Sequence, residues 1–268
     1  MTKKLMFLLF FFPSLVLAQE FNFNRALSDY LYNYDLYREA HQRYISAREA
    51  YLQYKTLTSK TNLLRQTLEM TRARDEVMRT YLIALKMRLN ESPGISVYER
   101  NTLNLKLDNE IDWYTKHKEE LSSAAILEDL VELAKKAEER YRGKTEILIY
   151  QTLHKILVGK ETALRERISG QIETIRKKLK EISEKGDKNT LLAERWLLEA
   201  ESRLLRFEEK INLSEQRIEK LETSFYSDNS QVYKESQLLL EEAHQYLKEA
   251  NRYLKEIIRE VKTADGNY

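Results

Sequence analysis

From Ala193 to Phe225 one row of side chains recurs at alternating intervals of four and three: Ala193, Leu197, Ala200, Leu204, Phe207, Ile211, Ser214, Ile218, Leu221 and Phe225. Only Ser214 is polar. This spacing returns to one side of a helix every two turns, whereas a strand repeats every second residue. A row of that length needs another helix to cover it. A second row follows with Leu239, Ala243, Tyr246, Ala250, Tyr253 and Ile257, and beside it run Leu240, Leu247, Leu254 and Val261 at intervals of seven. Together they make a stripe wider than a two-stranded seam requires, so the helix that carries them touches at least two neighbours.

Composition closes off the alternatives. The 268 residues include 2 prolines and 6 glycines, too little turn chemistry for a many-stranded β fold. With 0 cysteines there is no disulfide framework, thiolate metal site, Cys nucleophile or lipidated N-terminal Cys. The breakers are few and well placed. Asn90-Glu-Ser-Pro-Gly94 is followed by a capping box, Ser96 with Glu99. Gly186-Asp-Lys-Asn189 and the run from Ser224 to Ser230 are the next stops, with Asp228 and Gln231 at capping-box spacing. Gly143, after three residues that include Arg140 and Arg142, is a weaker one. Asn22 or Asn24 can cap the first helix. The expected helices cover about 23–90, 97–142, 144–185, 190–223 and 230–262. The expected fold is all-α: an elongated antiparallel helical bundle rich in coiled coil, with long helices and no sheet.

The first helix carries Tyr30, Tyr37, Tyr44 and Tyr51 at intervals of seven, with Ala26, Ala40 and Ala47 between them. At Tyr51, Tyr54 and Leu57 two intervals of three succeed each other, a stammer that overwinds the helix. A kink near Lys55–Lys60 would divide it into two pieces of roughly 34 residues. The alternation of rings and alanines matches Ala243, Tyr246, Ala250 and Tyr253 of the last helix, large against small. The first helix is therefore expected beside the last, Tyr44 near Tyr246.

Residues 1–18 have the layout of a cleaved export signal: Lys3 and Lys4, an apolar run from Leu5 to Leu17, then Val16 and Ala18 as small residues before a cut at Gln19. The apolar run, about 20 Å as a helix, is short for a hydrocarbon core of roughly 30 Å. No later run is long and apolar enough to span, so no integral membrane span is expected after signal removal, although peripheral membrane contact is allowed. The expected location is exported: periplasmic, cell-surface or secreted. The remaining domain covers 19–262, and 263–268 are expected to be a disordered tail. Loss of Lys3 and Lys4 lowers the formal net charge from +2 to zero, which gives no general attraction for nucleic acid.

No motif carries chemistry. There is no nucleophile elbow, P-loop or dinucleotide fingerprint. The carboxylates fall three or four residues from Lys or Arg, as in Glu138/Arg142 and Glu181/Lys185, which describes a solvated helix face. Glu241-x-x-His244 is half of a helical di-iron ligand set, and none of His41, His117 and His154 supplies the other half. Arg176-Lys-Lys-Leu-Lys180 lies where a helix dipole favours cations. No catalytic residue, metal ligand or cofactor site is therefore assigned, and the chain is read as not an enzyme. Two features bear on partners. Tyr32, Tyr34 and Tyr54 are the best candidates for partner contacts, with Tyr32 off the buried stripe. The segment Ile147, Leu148, Ile149, Tyr150, Leu153, Ile156, Leu157 and Val158 is the most apolar beyond the leader. It reads either as a helix buried on several sides or as a membrane-active element of the kind helical pore-forming toxins use.

The general pattern resembles extracytoplasmic helical proteins of bacteria. It implies a non-enzymatic structural or interaction protein of the cell envelope, a scaffold, spacer or adaptor meeting a protein partner, or itself, through helical faces. A pore-former-like protein and an extracytoplasmic holdase chaperone are the alternatives.

Overall fold

A computed structural model describes residues 22–185, 189–221 and 228–263. The expected export signal lies outside them, as do Gly186, Phe225 and the tail beyond Thr263. The chain is an all-α bundle of long helices, with no strand among the described residues. In chain order these are α1 (Phe23–Tyr54), α2 (Leu57–Glu91), α3 (Val97–Glu120), α4 (Leu127–Arg140), α5 (Glu146–Lys185), α6 (Leu191–Ile218) and α7 (Asn229–Thr263).

The first expected helix is two. Lys55 takes a left-handed conformation (φ 50°), and Thr56 caps α2 in a box with Ser59. The stammer and the Thr/Ser cluster thus mark a complete reversal of the chain rather than a kink. α1 folds back along α2, so that the amide of Phe23 donates to Glu91 Oε1 (2.8 Å) and Arg88 lies over the Phe23 ring. This hairpin also corrects the expected pairing of the first helix with the last. α1 packs on α2, α7 packs on α6 and α5, and Tyr44 and Tyr246 belong to different helix pairs. The small faces find each other within hairpins because short connections make antiparallel neighbours.

The second expected helix also divides. α3 ends in a tight turn at Leu121–Ser123, and α4 restarts where Asp129 accepts from the amides of Ala125 and Ile126 (3.2 and 3.3 Å). Gly143, by contrast, stops nothing. The chain passes from α4 into α5 through a wide turn of π geometry, Tyr141–Thr145. Other signals hold their places: Asn22 accepts from the Arg25 amide, Ser96 and Glu99 form their capping box, and Asp228 accepts from the Gln231 amide (3.1 Å).

Two cores lie along α5. One joins α2, α3 and the start of α5 through Leu82, Leu89, Leu107, Tyr114, Leu148, Ile149 and Ile156. The other joins the rest of α5 with α6 and α7 through Val158, Ile172, Leu204, Phe207, Leu247 and Leu254. Burying a leucine of this kind stabilises by about 1.5–3 kcal/mol. The buried residues of α6 are Ala193, Leu197, Ala200, Leu204, Phe207, Ile211, Ser214 and Ile218, all from the row read in the sequence. On α7 the row of sevens is the deeper one: Leu240, Leu247 and Leu254 are buried with Ala243, Ala250 and Ile257, while Tyr246 and Tyr253 are partly buried against that core. Ion pairs from α6 to α7 (Lys210 to Glu242 at 2.6 Å, Arg203 to Glu249 at 3.2 Å) fix the antiparallel register.

Candidate interaction site

The inner row of α1, with Ala26, Ala40 and Ala47 buried, rests on α2. One position later along the helix runs a second row with the same alternation: Leu27, Leu31, Tyr34, Arg38, His41, Ile45, Arg48 and Leu52. Leu31, Tyr34 and Leu52 are exposed, and among the described residues no other element packs along this row as α2 does along the inner one. Two adjacent rows on one helix are what a helix with two neighbours carries. Of the candidate contacts, Tyr34 stands in this row, 6.1 Å from the Tyr30 ring. Tyr32 projects from the opposite flank, and Tyr54 lies at the hairpin tip beside Thr56 and Leu57. All three are exposed, and they do not form one site.

Near the base of the hairpin, tyrosines from several elements converge. Tyr30 meets Tyr81 of α2 edge to face at 5.3 Å, and Tyr150 of α5 stacks on Tyr233 of α7 at 4.7 Å. Burial raises the Tyr81 hydroxyl to about 12, and the neighbouring hydroxyls of Tyr30, Tyr233, Tyr141 and Tyr150 reinforce the shift. Tyr150 is likewise raised to about 12, chiefly by burial and then by Glu146. These phenols stay protonated and can donate hydrogen bonds at any physiological pH. The cluster ties the hairpin to the α5–α7 junction, and its edge merges with the outer row at Tyr34.

The apolar segment is not a free surface. Leu148, Ile149 and Ile156 are buried in the first core, and Tyr150 and Leu153 pack against it. Val158 is buried in the second core, with Leu157 against it, and Ile147 is half-buried. The segment is the stretch of α5 where the two cores meet.

Buried polar groups form two locks. In the first, His117 Nδ1 lies 2.5 Å from Asp75 Oδ2, and Nε2 lies 3.0 Å from the Leu133 carbonyl oxygen. A carbonyl only accepts, so Nε2 carries a proton, and a second proton lies between Nδ1 and the carboxylate. Trp113 stacks on His117 (4.8 Å), and Arg140 covers Trp113 while gripping Glu110 at 3.0 and 2.5 Å. Thr145, turned inward at the end of the π turn, donates to Glu110 Oε2 (2.9 Å). Asp75 and His117 are each 1% exposed, which leaves them no access to a dissolved substrate. In the second lock, His154 Nε2 meets Ser214 Oγ at 2.8 Å, and Ser214 donates to the Ser236 carbonyl (3.1 Å). Burial, then Lys155, lowers the His154 pKa to about 4, so the ring is neutral at physiological pH. Lys155 itself bridges Glu99 and Glu215 (2.7 and 3.1 Å).

His244 is half-buried, with Nδ1 2.9 Å from Glu161 Oε2. Among the described residues no cluster of three His, Asp or Glu side chains is placed to hold a metal ion, and no helix is long and apolar enough to cross a membrane. Comparisons with protein-family models, curated proteins and solved structures found no match to this chain.

Proposed function

We propose that this chain is an exported, non-enzymatic structural or interaction protein of the bacterial cell envelope, acting as a scaffold, spacer or adaptor through helical faces. The outer row of α1 is the observation that carries the reading. It continues the heptad alternation over the whole helix, yet Leu31, Tyr34 and Leu52 remain exposed. Export rests on the residue pattern of 1–18. The ionisable groups inside the fold are spent on joining helices: Asp75 with His117, Glu110 with Arg140, Lys155 with two glutamates. The membrane-active alternative requires 147–158 to leave both cores at once. Photo-crosslinkers at Leu31, Arg38 and Leu52 test the proposal in cells of the source organism. A discrete adduct with one envelope protein, or with a second copy, is the expected result. Absence of adducts from all three positions, together with liposome leakage by the purified chain, counts against it.

A further inference from the structure

Among the described residues, the unit built by α5, α6 and α7 leaves two surfaces uncovered. The first is a groove of about 890 Å³ between α5 and α7, floored by Ile175, Leu179, Ile182, Leu254, Ile258 and Val261. Its rim holds Arg167, Lys178, Lys255 and Lys262 against one carboxylate, Glu181. None of the four cations makes an ion pair among the described residues. The second surface is the back of α6. Leu191, Leu198 and Leu205, at intervals of seven, are 71%, 66% and 68% exposed. Each is followed three residues later by a glutamate: Glu194, Glu201 and Glu208. Glu201 and Glu208 reach Arg176 and Arg165 of α5, exposed or half-exposed pairs that a further cation can share at small cost.

We propose that the groove receives the back of α6 from a second copy of this chain. The dimensions agree. From Arg167 to Ile182 the groove runs about 22 Å along α5, and from Leu191 to Leu205 the leucine row runs about 21 Å. The chemistry agrees as well: leucines for an apolar floor, glutamates for a rim of one arginine and three lysines that make no ion pair among the described residues. A groove lined only by α5 and α7 lies on the side of the three-helix unit away from α6. The two surfaces are therefore different, so the contact is heterologous and passes from copy to copy as an open chain or a ring. Each junction completes a four-helix arrangement. This inference rests on the structural reading above and names one partner for it.

Sedimentation velocity of the purified chain tests it, with two variants. Leu198→Glu/Leu205→Glu removes the α6 face, and Ile258→Glu/Val261→Glu removes the groove; Leu198, Leu205 and Ile258 are exposed and Val261 half-buried, and circular dichroism verifies that both variants fold. The wild-type chain is expected to grow in mass with concentration, and each variant alone to stay monomeric. An equimolar mixture of the two is expected to form a dimer and stop there, since only one competent junction exists between them. A wild-type chain that stays monomeric up to high micromolar concentration overturns the docking. So does a mixture that remains monomeric, which would mean a symmetric contact, or association that neither variant weakens by tenfold. A monomeric result leaves the structural reading standing, because that reading is decided by crosslinks in the cell.

Discussion

Gly94 and Gly159 touch backbone to backbone. A Cβ on Gly94 would stand 2.0 Å from the Gly159 carbonyl oxygen, and a Cβ on Gly159 would stand 2.6 Å from the Pro93 carbonyl oxygen. Gly94 also has φ +69°, which a side chain resists. The loop from α2 to α3 is thereby seated on α5 at the point where the two cores meet. Gly94→Ala is expected to destabilise by about 2–4 kcal/mol, combining left-handed strain with overpacking. Gly159→Ala loses more from the clash than the roughly 1 kcal/mol it gains in helix propensity. Gly170 also lies in α5, but a Cβ there would meet nothing within 4 Å. Gly170→Ala is therefore expected to stabilise, by up to about 1 kcal/mol. Opposite signs for the same substitution in one helix, read by urea unfolding, check the contact.

His154 sets an acid limit. Its pKa falls from 6.5 in the unfolded chain to about 4 in the fold, because burial disfavours the imidazolium. Unfolded chains bind the proton first as pH drops, so the stability is full above 6.5 and is lost progressively as pH falls toward 4. The loss is at most roughly 3 kcal/mol. A second loss follows at lower pH: Glu76, held down to about 2 by Arg79 and, less strongly, by Lys118, loses its contribution as pH falls from 4.5 through that value. His154→Gln is expected to flatten the stability profile between pH 6.5 and 4 while leaving the lower window in place. Chemical denaturation at several pH values separates the two.

The rows that make the bundle are legible because heptad spacing survives in a list of letters. The buried face of α6 can be read from Ala193 to Ile218 without error. The connections are less legible. Nothing in Lys55 announces a left-handed residue, and Gly143, a residue that usually stops helices, sits in an open turn where its missing side chain meets nothing. Asp75, Glu110 and His117 did leave a signal. Asp75 falls between Thr71 and Met78, and Glu110 and His117 fall among Leu103, Leu107, Tyr114 and Leu121, all in register at fours and threes. A polar residue in step with an apolar row is buried and needs a partner. Ser214 obeys the same rule with His154. The convergence of Tyr30, Tyr81, Tyr150 and Tyr233 left none, since it depends on how separate helices are placed.

Lys55 can be improved upon. It is the one non-glycine residue with positive φ among the described residues, and its amide closes the end of α1 by donating to the Tyr51 carbonyl (2.9 Å). Glycine at this position removes the steric cost of the left-handed conformation. Lys55→Gly is expected to raise stability by about 1 kcal/mol, whereas Lys55→Pro, which can neither adopt the angle nor donate, should open the hairpin. Thermal melts of the two variants are expected to move in opposite directions. A loss of stability in Lys55→Gly would mean that the chain does not reverse through a left-handed residue at this point.

The Asp75–His117 pair joins α2 to α3 and, through Leu133, to α4. Replacing one partner strands the other in a site with almost no solvent, which costs about 3–5 kcal/mol. His117→Ala leaves the Asp75 carboxylate with Arg74 as its remaining cation, at 3.6 Å. Asp75→Asn keeps a group that can hydrogen-bond Nδ1, as donor through its amide nitrogen or as acceptor through its amide oxygen, and leaves the link of His117 to Leu133 intact. Asp75→Asn is therefore expected to cost less than His117→Ala. The double replacement Asp75→Leu/His117→Leu removes both polar groups together and should cost less than the sum of the two singles, because no ionisable group is left unpaired. Additive losses in a double-mutant cycle would mean that the two residues act independently and that α4 is held by its apolar contacts alone.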